Sequence, residues 1–416
     1  MKSNYRKLNG LIEEVDYRNK KLEVETLLGV SVRKVFIPSI ANTVGTDFKK
    51  YKIIKKKQFC FIPDTSRRGD KIGIAMLSSH HEALVSQAYK VFEIIDQNEL
   101  SPEYLMMWFA RPEFDRYARY KSHGSVREIF DWEEMCEVEL PIPPIEEQQA
   151  IVTEYKTVTD RIELNKQINT KLEETAQALY RHWFVDFEFP DENGKSYKSS
   201  GGKMVYNEKL EKEVPEGWEA INIGDVVDNL GGGTPKTEVE DYWEDGSINW
   251  FSPTDVTKSQ SVYLFNSSKK ITEVGLNNSS AKIFPVDSLL MTSRATIGKL
   301  GINKYPSTTN QGFITLIPNN NYPLYYLIEW LKSNVDLVDQ LASGSTFREI
   351  SKSDFRQIKI LKTNNLILKF SDSIIDIYKK IEVNSKLLIQ LESTRSLLLS
   401  KMAGSNAFTQ PKAEAI

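Results

Sequence analysis

The chain has 416 residues, a formal net charge of −3 and 27 % charged residues, which is globular composition with length for two or more domains. It contains no unbroken apolar run of the ~18 residues a membrane span needs, and "MKSNYRKLNG" lacks the apolar core of a signal peptide. Cys60 and Cys136 stand too far apart for a metal pair or a disulfide scaffold. A cytoplasmic protein with two buried thiols and no membrane partner is expected. The slight acidity argues against a free-standing nucleic-acid binder, which is usually basic, but a partner subunit can supply phosphate contacts.

In chain order, "YKIIKKKQFCFIP" (51–63) and "AYKVFEII" (88–95) have the β-branched and aromatic content of strands. "SPEYLMMWFA" (101–110) reads as a helix. The runs "KKYKIIKKK" (49–57) and "SRR" (66–68) suggest a phosphate-facing surface. "LPIPPIEEQQAIV" (140–152) then starts a long helix, with Glu146 and Glu147 at its positive end.

From Ile151 this helix carries apolar positions at alternating four- and three-residue steps. One seam row is Ile151, Val158, Asn165, Leu172 and Leu179; the other is Tyr155, Ile162, Asn169, Ala176 and Trp183. A second helix repeats the pattern, with Phe370, Ile377, Asn384, Leu391 and Leu398 in one row. Ile374, Ile381, Leu388, Arg395 and Met402 form its other row. Such spacing is a coiled-coil seam, in which a polar residue fixes register at a cost in stability. Antiparallel packing about a pseudo-twofold axis would bring Asn165 and Asn384 together at the middle. Each helix of about 40 residues would be a rod ~60 Å long. Residues 189–214 read as a linker or exposed hairpin.

In the second half, "SLLMTSR" and "FITLIP" read as strands and "YPLYYLIEWLK" as a helix. The halves share an ordered set of matches. "TSR" occurs at 65–67 and 292–294, "KIGIA" (71–75) matches "KLGIN" (299–303), and "SQAYKVFEI" (86–94) matches "NQGFITLIP" (310–318). "GSVREI" (124–129) then matches "GSTFREI" (344–350), and "RIELN" (161–165) matches "KIEVN" (380–384).

No catalytic set emerges. In "NLGGGTPKTE" (229–238) Pro235 stands before Lys236 where a phosphate loop needs glycine, and no apolar helix follows. "PIPPIEE" lacks the acid or amide and the aromatic of an amino-methyltransferase motif. Pro190-Asp191 has no nuclease partner strand, and the four histidines have no metal-ligand spacing.

What remains is binding: Arg and Lys reach phosphates and guanine edges, Gln and Asn read adenine, and Gly-Ser loops offer backbone N–H groups. The candidates are Ser66, Arg67, Arg68, Gln87, Gly124, Ser125 and Arg127 in the first half. Arg294, Gln311, Gly344, Ser345 and Arg348 are those of the second. The competing reading pairs Arg127 and Arg348 with nearby acids and makes the Gly-Ser loops plain turns.

The chain resembles the specificity subunit of type I DNA restriction-modification enzymes. The resemblance rests on "ALYRHWFVDFEFP" (178–190), "YKSSGGKMVYNEKLEKEVPEGWE" (197–219), "GGGTPKTEVEDYWEDGSINWFSPTDV" (231–256) and "LPIPPIEEQQAIV". It implies an α+β chain: two target-recognition α/β domains in pseudo-twofold arrangement (1–144 and 215–363), joined and spaced by two long antiparallel coiled-coil helices (145–188 and 364–403). Residues 404–416 would be a flexible tail.

The resemblance also implies that each domain reads half of a split double-stranded DNA target while the helices dock two modification subunits. Those partners hold S-adenosylmethionine, and optional restriction subunits use ATP and Mg; this chain binds no cofactor and is no enzyme itself. Gly232, Gly233, Thr234, Lys236, Trp250, Ser252 and Asp255 match one class of recognition domain, with the glycines letting the backbone approach the DNA. The first half begins "LIEEVDYRNKK" and lacks that pattern, so the two readers should differ and the target be asymmetric. The alternative is a coiled-coil scaffold or adaptor that joins proteins without reading DNA.

Overall fold

The computed structural model describes residues 5–39, 45–65, 71–123, 128–344, 348–363 and 365–402. The chain forms two units: residues 1–162 with 390–416, and residues 163–389. Both long helices contribute to each unit.

In the first unit an antiparallel sheet has the order Ile12–Val15, Lys90–Ile94, Phe59–Phe61, Ile74–Met76. Its core is aromatic: Phe59 stacks on Phe92 at 5.0 Å between centroids, and Phe109 meets Phe59 edge-on at 5.9 Å. Phe109 comes from the expected helix, Pro102–Phe109, which begins with proline and is capped by the Ser101 hydroxyl.

"YKIIKKKQFCFIP" is two strands, Lys52–Lys55 and Phe59–Phe61, broken by Lys57 in the left-handed region at φ 69°. Strand alternation turns Lys52 inward, buried within 3.8 Å of Glu14 and 3.7 Å of Asp16. The basic run therefore does not present all its charges to solvent. Cys60 is buried, and burial pushes its thiol up; Cys136 is only half-buried, contrary to expectation.

In the second unit the corresponding strands have the same order: Asp228–Gly231, Phe313–Ile317, Leu289–Thr292, Leu300–Asn303, followed by Tyr263–Leu264. A second sheet joins Lys269–Ile271, Ile248–Phe251 and Ser307–Thr309. The expected helix spans Leu324–Ser333. Of the two readings of segment 189–214, linker or hairpin, its second part forms a hairpin. Met204–Asn207 pairs with Lys212–Pro215, Val214 is fully buried, and Tyr197 stacks on Phe189 at 4.6 Å.

The long helices run Ile145–Phe184 and Leu366–Lys401. Gln148 anchors the start of the first: its amide donates to the Glu99 and Pro143 carbonyls at 2.9 and 2.8 Å and accepts from the Ser101 N–H at 2.9 Å. After the helix ends, Phe187 adopts a left-handed φ of 62° and the Glu188 N–H caps the His182 carbonyl at 2.8 Å. That conformation costs about 1–2 kcal/mol for a residue with a Cβ. Burial of the Phe187 ring against Trp218, at 5.6 Å, offsets it.

Within the second unit the helices are antiparallel, since Tyr180 meets Phe370 while Asn169 meets Asn384. The Asn384 amide donates to the side-chain oxygen of Asn169 at 3.1 Å, one helical turn from Asn165. Reversing a helix interchanges its four- and three-residue steps, so one seam row faces the other row of its neighbour. Asn165 is also buried, on the same face. In the first unit Ile151 shares a cluster with Leu399 and Met402. The second helix buries a wider stripe than expected: Tyr378, Ser385 and Leu399 are buried, whereas Ile377, Leu391 and Leu398 are half-buried.

A polar network fastens this helix to the rest of the second unit. The Tyr378 hydroxyl donates to Glu329, and the Lys332 ammonium lies 3.3 Å from Glu329 and 3.0 Å from Glu173. Burial raises the Glu329 carboxyl above its ordinary 4.5, outweighing Lys332. The folded state thus favours the protonated acid. That stabilisation is complete below pH 4.5 and is lost as pH rises through the raised value. Glu329→Gln should flatten this decline in chemical-denaturation curves recorded against pH; an unchanged slope would refute the assignment. Among the described residues, no helix is long and apolar enough to cross a membrane.

Candidate nucleic-acid interface

In the second unit three distant segments converge beyond the strand Leu289–Thr292. The Ser293 N–H donates to the Gly312 carbonyl at 2.8 Å, the Ile350 N–H to Ser293 at 3.1 Å and the Ala295 N–H to Arg348 at 3.1 Å. Arg294 bridges Glu349 through the backbone, and its Nε lies 2.7 Å from the Glu349 carboxylate. Arg348 Nη1 lies 2.8 Å from Asp339 Oδ2, while Nη2 donates to the Asp339 carbonyl. Both candidate arginines therefore have acidic partners, yet about half of each side chain remains exposed. Gly344 has φ 107°, which disfavours any side chain. Ser345 lies outside the described residues.

The glycine loop has an internal explanation. A Cβ on Gly232 would lie 2.0 Å from the Asn310 carbonyl oxygen, and one on Gly233 would lie 2.4 Å from the Ala281 nitrogen. The close approach is to the chain's own backbone, and Gly233 is buried. This close approach to Thr309, Asn310, Ser280 and Ala281 accounts for glycine at both positions without any outside partner.

Trp250 locks the loop by donating its indole N–H to the Gly233 carbonyl at 2.9 Å, with Trp243 edge-on at 5.1 Å. Thr234 donates to the Gln311 side chain at 2.7 Å, joining the loop to the convergent segments. Gln311 and Lys236 are exposed.

Ser252 is a helix cap. Its N–H and hydroxyl both donate to Asp255 Oδ2 at 2.7 Å, and the Ser268 N–H donates to Oδ1 at 2.8 Å. Burial would raise the Asp255 carboxyl, but these bonds outweigh it and hold it below its ordinary value. The "W-x-S-P-x-D" pattern thus builds a scaffold, with Ser252 committed to it.

Ser66, Arg67, Arg68, Gly124, Ser125 and Arg127 lie outside the described residues; Gln87 is exposed in a turn. The surrounding backbone nevertheless fixes how the halves correspond. The Thr65 N–H donates to Glu128 at 2.9 Å as Ala295 does to Arg348, and Phe130 donates to Pro63 at 2.9 Å as Ile350 does to Ser293. Ile129 pairs with His123 and Asp64, as Glu349 pairs with Ser343 and Arg294. Asp64 therefore stands where Arg294 does, and Glu128 where Arg348 does. Transferring Arg294 to Arg67 and Arg348 to Arg127 by sequence match is a register error. Strand pairing forbids such slips, but short similar strings tolerate them.

Sequence reasoning missed the acids Asp339 and Glu349 and the pair Arg119–Glu128. A signal existed: Arg119 precedes Glu128, and Asp339 precedes Arg348, by nine residues, with charges exchanged. Among the described residues no group of three His, Cys, Asp or Glu side chains could hold a metal.

The duplication is also what comparison with known proteins returns. A profile described as "Type I restriction modification DNA specificity domain" matches residues 12–174 and again residues 215–393. The chain belongs to this specificity family. The HindI specificity subunit of Haemophilus influenzae is 26 % identical over 371 residues, covering 77 % of this chain and 80 % of that one. The MjaIX specificity subunit of Methanocaldococcus jannaschii is 33 % identical over 190 residues, 43 % of this chain and less than half, 44 %, of the relative. The crystal structure of an S subunit from M. genitalium shares the fold at a TM-score of 0.57 and 16 % identity, covering 96 % of this chain and 95 % of that one.

Proposed function

We propose that this type I specificity subunit reads a bipartite, asymmetric DNA target, one half-sequence per recognition domain, and contributes no catalytic group. The observation that carries this is the pairing of one duplicated sheet with two different sets of loops. A shared frame presents loops in the same way, whereas different side chains select different bases. The helices set the half-site spacing and dock two adenine-methylating subunits. S-adenosylmethionine resides in those subunits, and ATP with Mg in any restriction subunit.

Methylome sequencing of cells carrying this chain and its methylating partner tests the proposal. A split motif with unlike halves is expected. Methylation with no sequence preference would favour the scaffold reading, and turnover by the chain alone would overturn the non-catalytic one.

Docking is supported by apolar side chains facing solvent on the helices: Leu164 is 55 % exposed, Val383 59 %, and Ile168 and Ile389 are exposed with them. Leu164 and Ile168 are neighbours on one helix face, and adjoining apolar side chains left in water are what a docked protein would cover. Leu164→Asp combined with Ile168→Asp should leave the melting temperature of the chain within a few degrees while lowering co-purification of the methylating subunit at least tenfold. Unimpaired co-purification would place the docking surface elsewhere.

A further inference from the structure

We propose that the two readers place their phosphate-facing cation at the same corner but on different elements: on the loop in the second domain, through Arg348, and on the preceding helix in the first, through Arg119. This rests on the DNA-reading function above.

The equivalence comes from backbone bonds rather than from matched letters. Ser122 donates to the Arg119 carbonyl at 3.3 Å as Ala342 does to Asp339 at 3.2 Å, and Lys121 donates to Tyr117 at 2.9 Å as Leu341 does to Leu337 at 3.0 Å. In this frame Arg119 occupies the place of Asp339, and Glu128 the place of Arg348. The same ion pair closes the same corner with its charges exchanged.

The helical surface changes with it. Pro112–Tyr120 offers Arg116 and Arg119, whereas Val335–Gln340 offers Asp336 and Asp339 at those positions. An acidic helix edge would repel a phosphate, so in the second domain the member of this pair that can approach one is the loop arginine. In the first domain the position equivalent to Arg348 is Glu128, and the cation of the pair is on the helix. Tyr120, 81 % exposed, adds an aromatic side chain beside it; its counterpart is Gln340.

Pairing with the acid does not consume the arginine. Guanidinium has five N–H donors, and Arg119 engages Glu128 through Nη1 while 41 % of its side chain stays exposed. The carboxylate holds the long side chain in place, which lowers the entropy lost on meeting a phosphate.

The test uses the assembled complex with its methylating subunits, a duplex carrying the methylated motif, and a random duplex of equal length. Binding is measured across a salt series together with the melting temperature. Arg119→Ala should weaken both duplexes similarly and reduce the salt slope by about one. Arg119→Glu should weaken them further. The exchange Arg119→Glu with Glu128→Arg, which installs the second domain's arrangement, should recover most of the affinity.

Unchanged affinity and slope for Arg119→Ala, with the parent complex still selective, would overturn this proposal alone. So would an exchange variant that recovers the melting temperature without the affinity, because the pair would then serve folding only. A parent complex that prefers neither duplex would instead overturn the DNA-reading function.

Discussion

Phe370→Ala is expected to lower the free energy of unfolding by about 3–5 kcal/mol. Phe370 is fully buried, and its ring meets Tyr180 at 5.7 Å, Trp183 at 5.6 Å, Phe184 at 5.2 Å and Tyr326 at 6.4 Å. Those neighbours come from the first long helix and from the helix Leu324–Ser333, so one ring joins three elements. Rings this large cannot collapse into the void, and both the lost apolar burial and the residual cavity contribute. Equilibrium denaturation checks the value. Phe370→Leu should recover roughly half or more, because most of the volume returns. A loss below about 1 kcal/mol for the alanine variant would show that the cluster does not hold the helices together.

Gly233→Ala is expected to cost about 1–3 kcal/mol and to displace the Trp250 indole. The added methyl would sit 2.3 Å from the Ser280 hydroxyl and 2.4 Å from the Ala281 backbone nitrogen, and backbone cannot yield as a flexible side-chain end can. The loop must move, breaking the 2.9 Å bond from Trp250 to the Gly233 carbonyl. Denaturation and tryptophan fluorescence should change together. Gly29→Ala is the control: its nearest neighbour would lie 3.8 Å away, so a change within about 0.5 kcal/mol is expected. Equal effects at both sites would remove the packing explanation.

These two sites differ in how visible they were before folding. The seam rows ending at Leu179 and Trp183 already marked a partner-facing helix end, because apolar periodicity depends only on local geometry. The role of "GGGTP" was legible only as a departure from a phosphate loop. Its neighbours, Ala281 and Asn310, are 48 and 77 residues away from Gly233 in sequence. Likewise "W-x-S-P-x-D" was recognisable as a pattern, but that it caps a helix and locks the glycine loop required the folded partners. Among the candidate arginines, position was readable and partnership was not. Arg294 and Arg348 were found, whereas Glu349 and Asp339, which hold them, were recognisable as partners only once the fold paired them.

The sequence by itself determined the duplicated plan, the two long helices, and the first helix's seam with its buried Asn165 and Asn169. Each of these follows from residue spacing along one element, and spacing survives without knowledge of any partner. Only the tertiary structure decided that Asn384 bonds to Asn169, that Gly233 packs on the chain itself, and that Glu128 rather than Arg127 corresponds to Arg348. Antiparallel reversal and strand hydrogen bonding set these pairings. A slip of one or two residues hardly changes a string match, but it turns a strand's side chains to the other face or breaks its ladder.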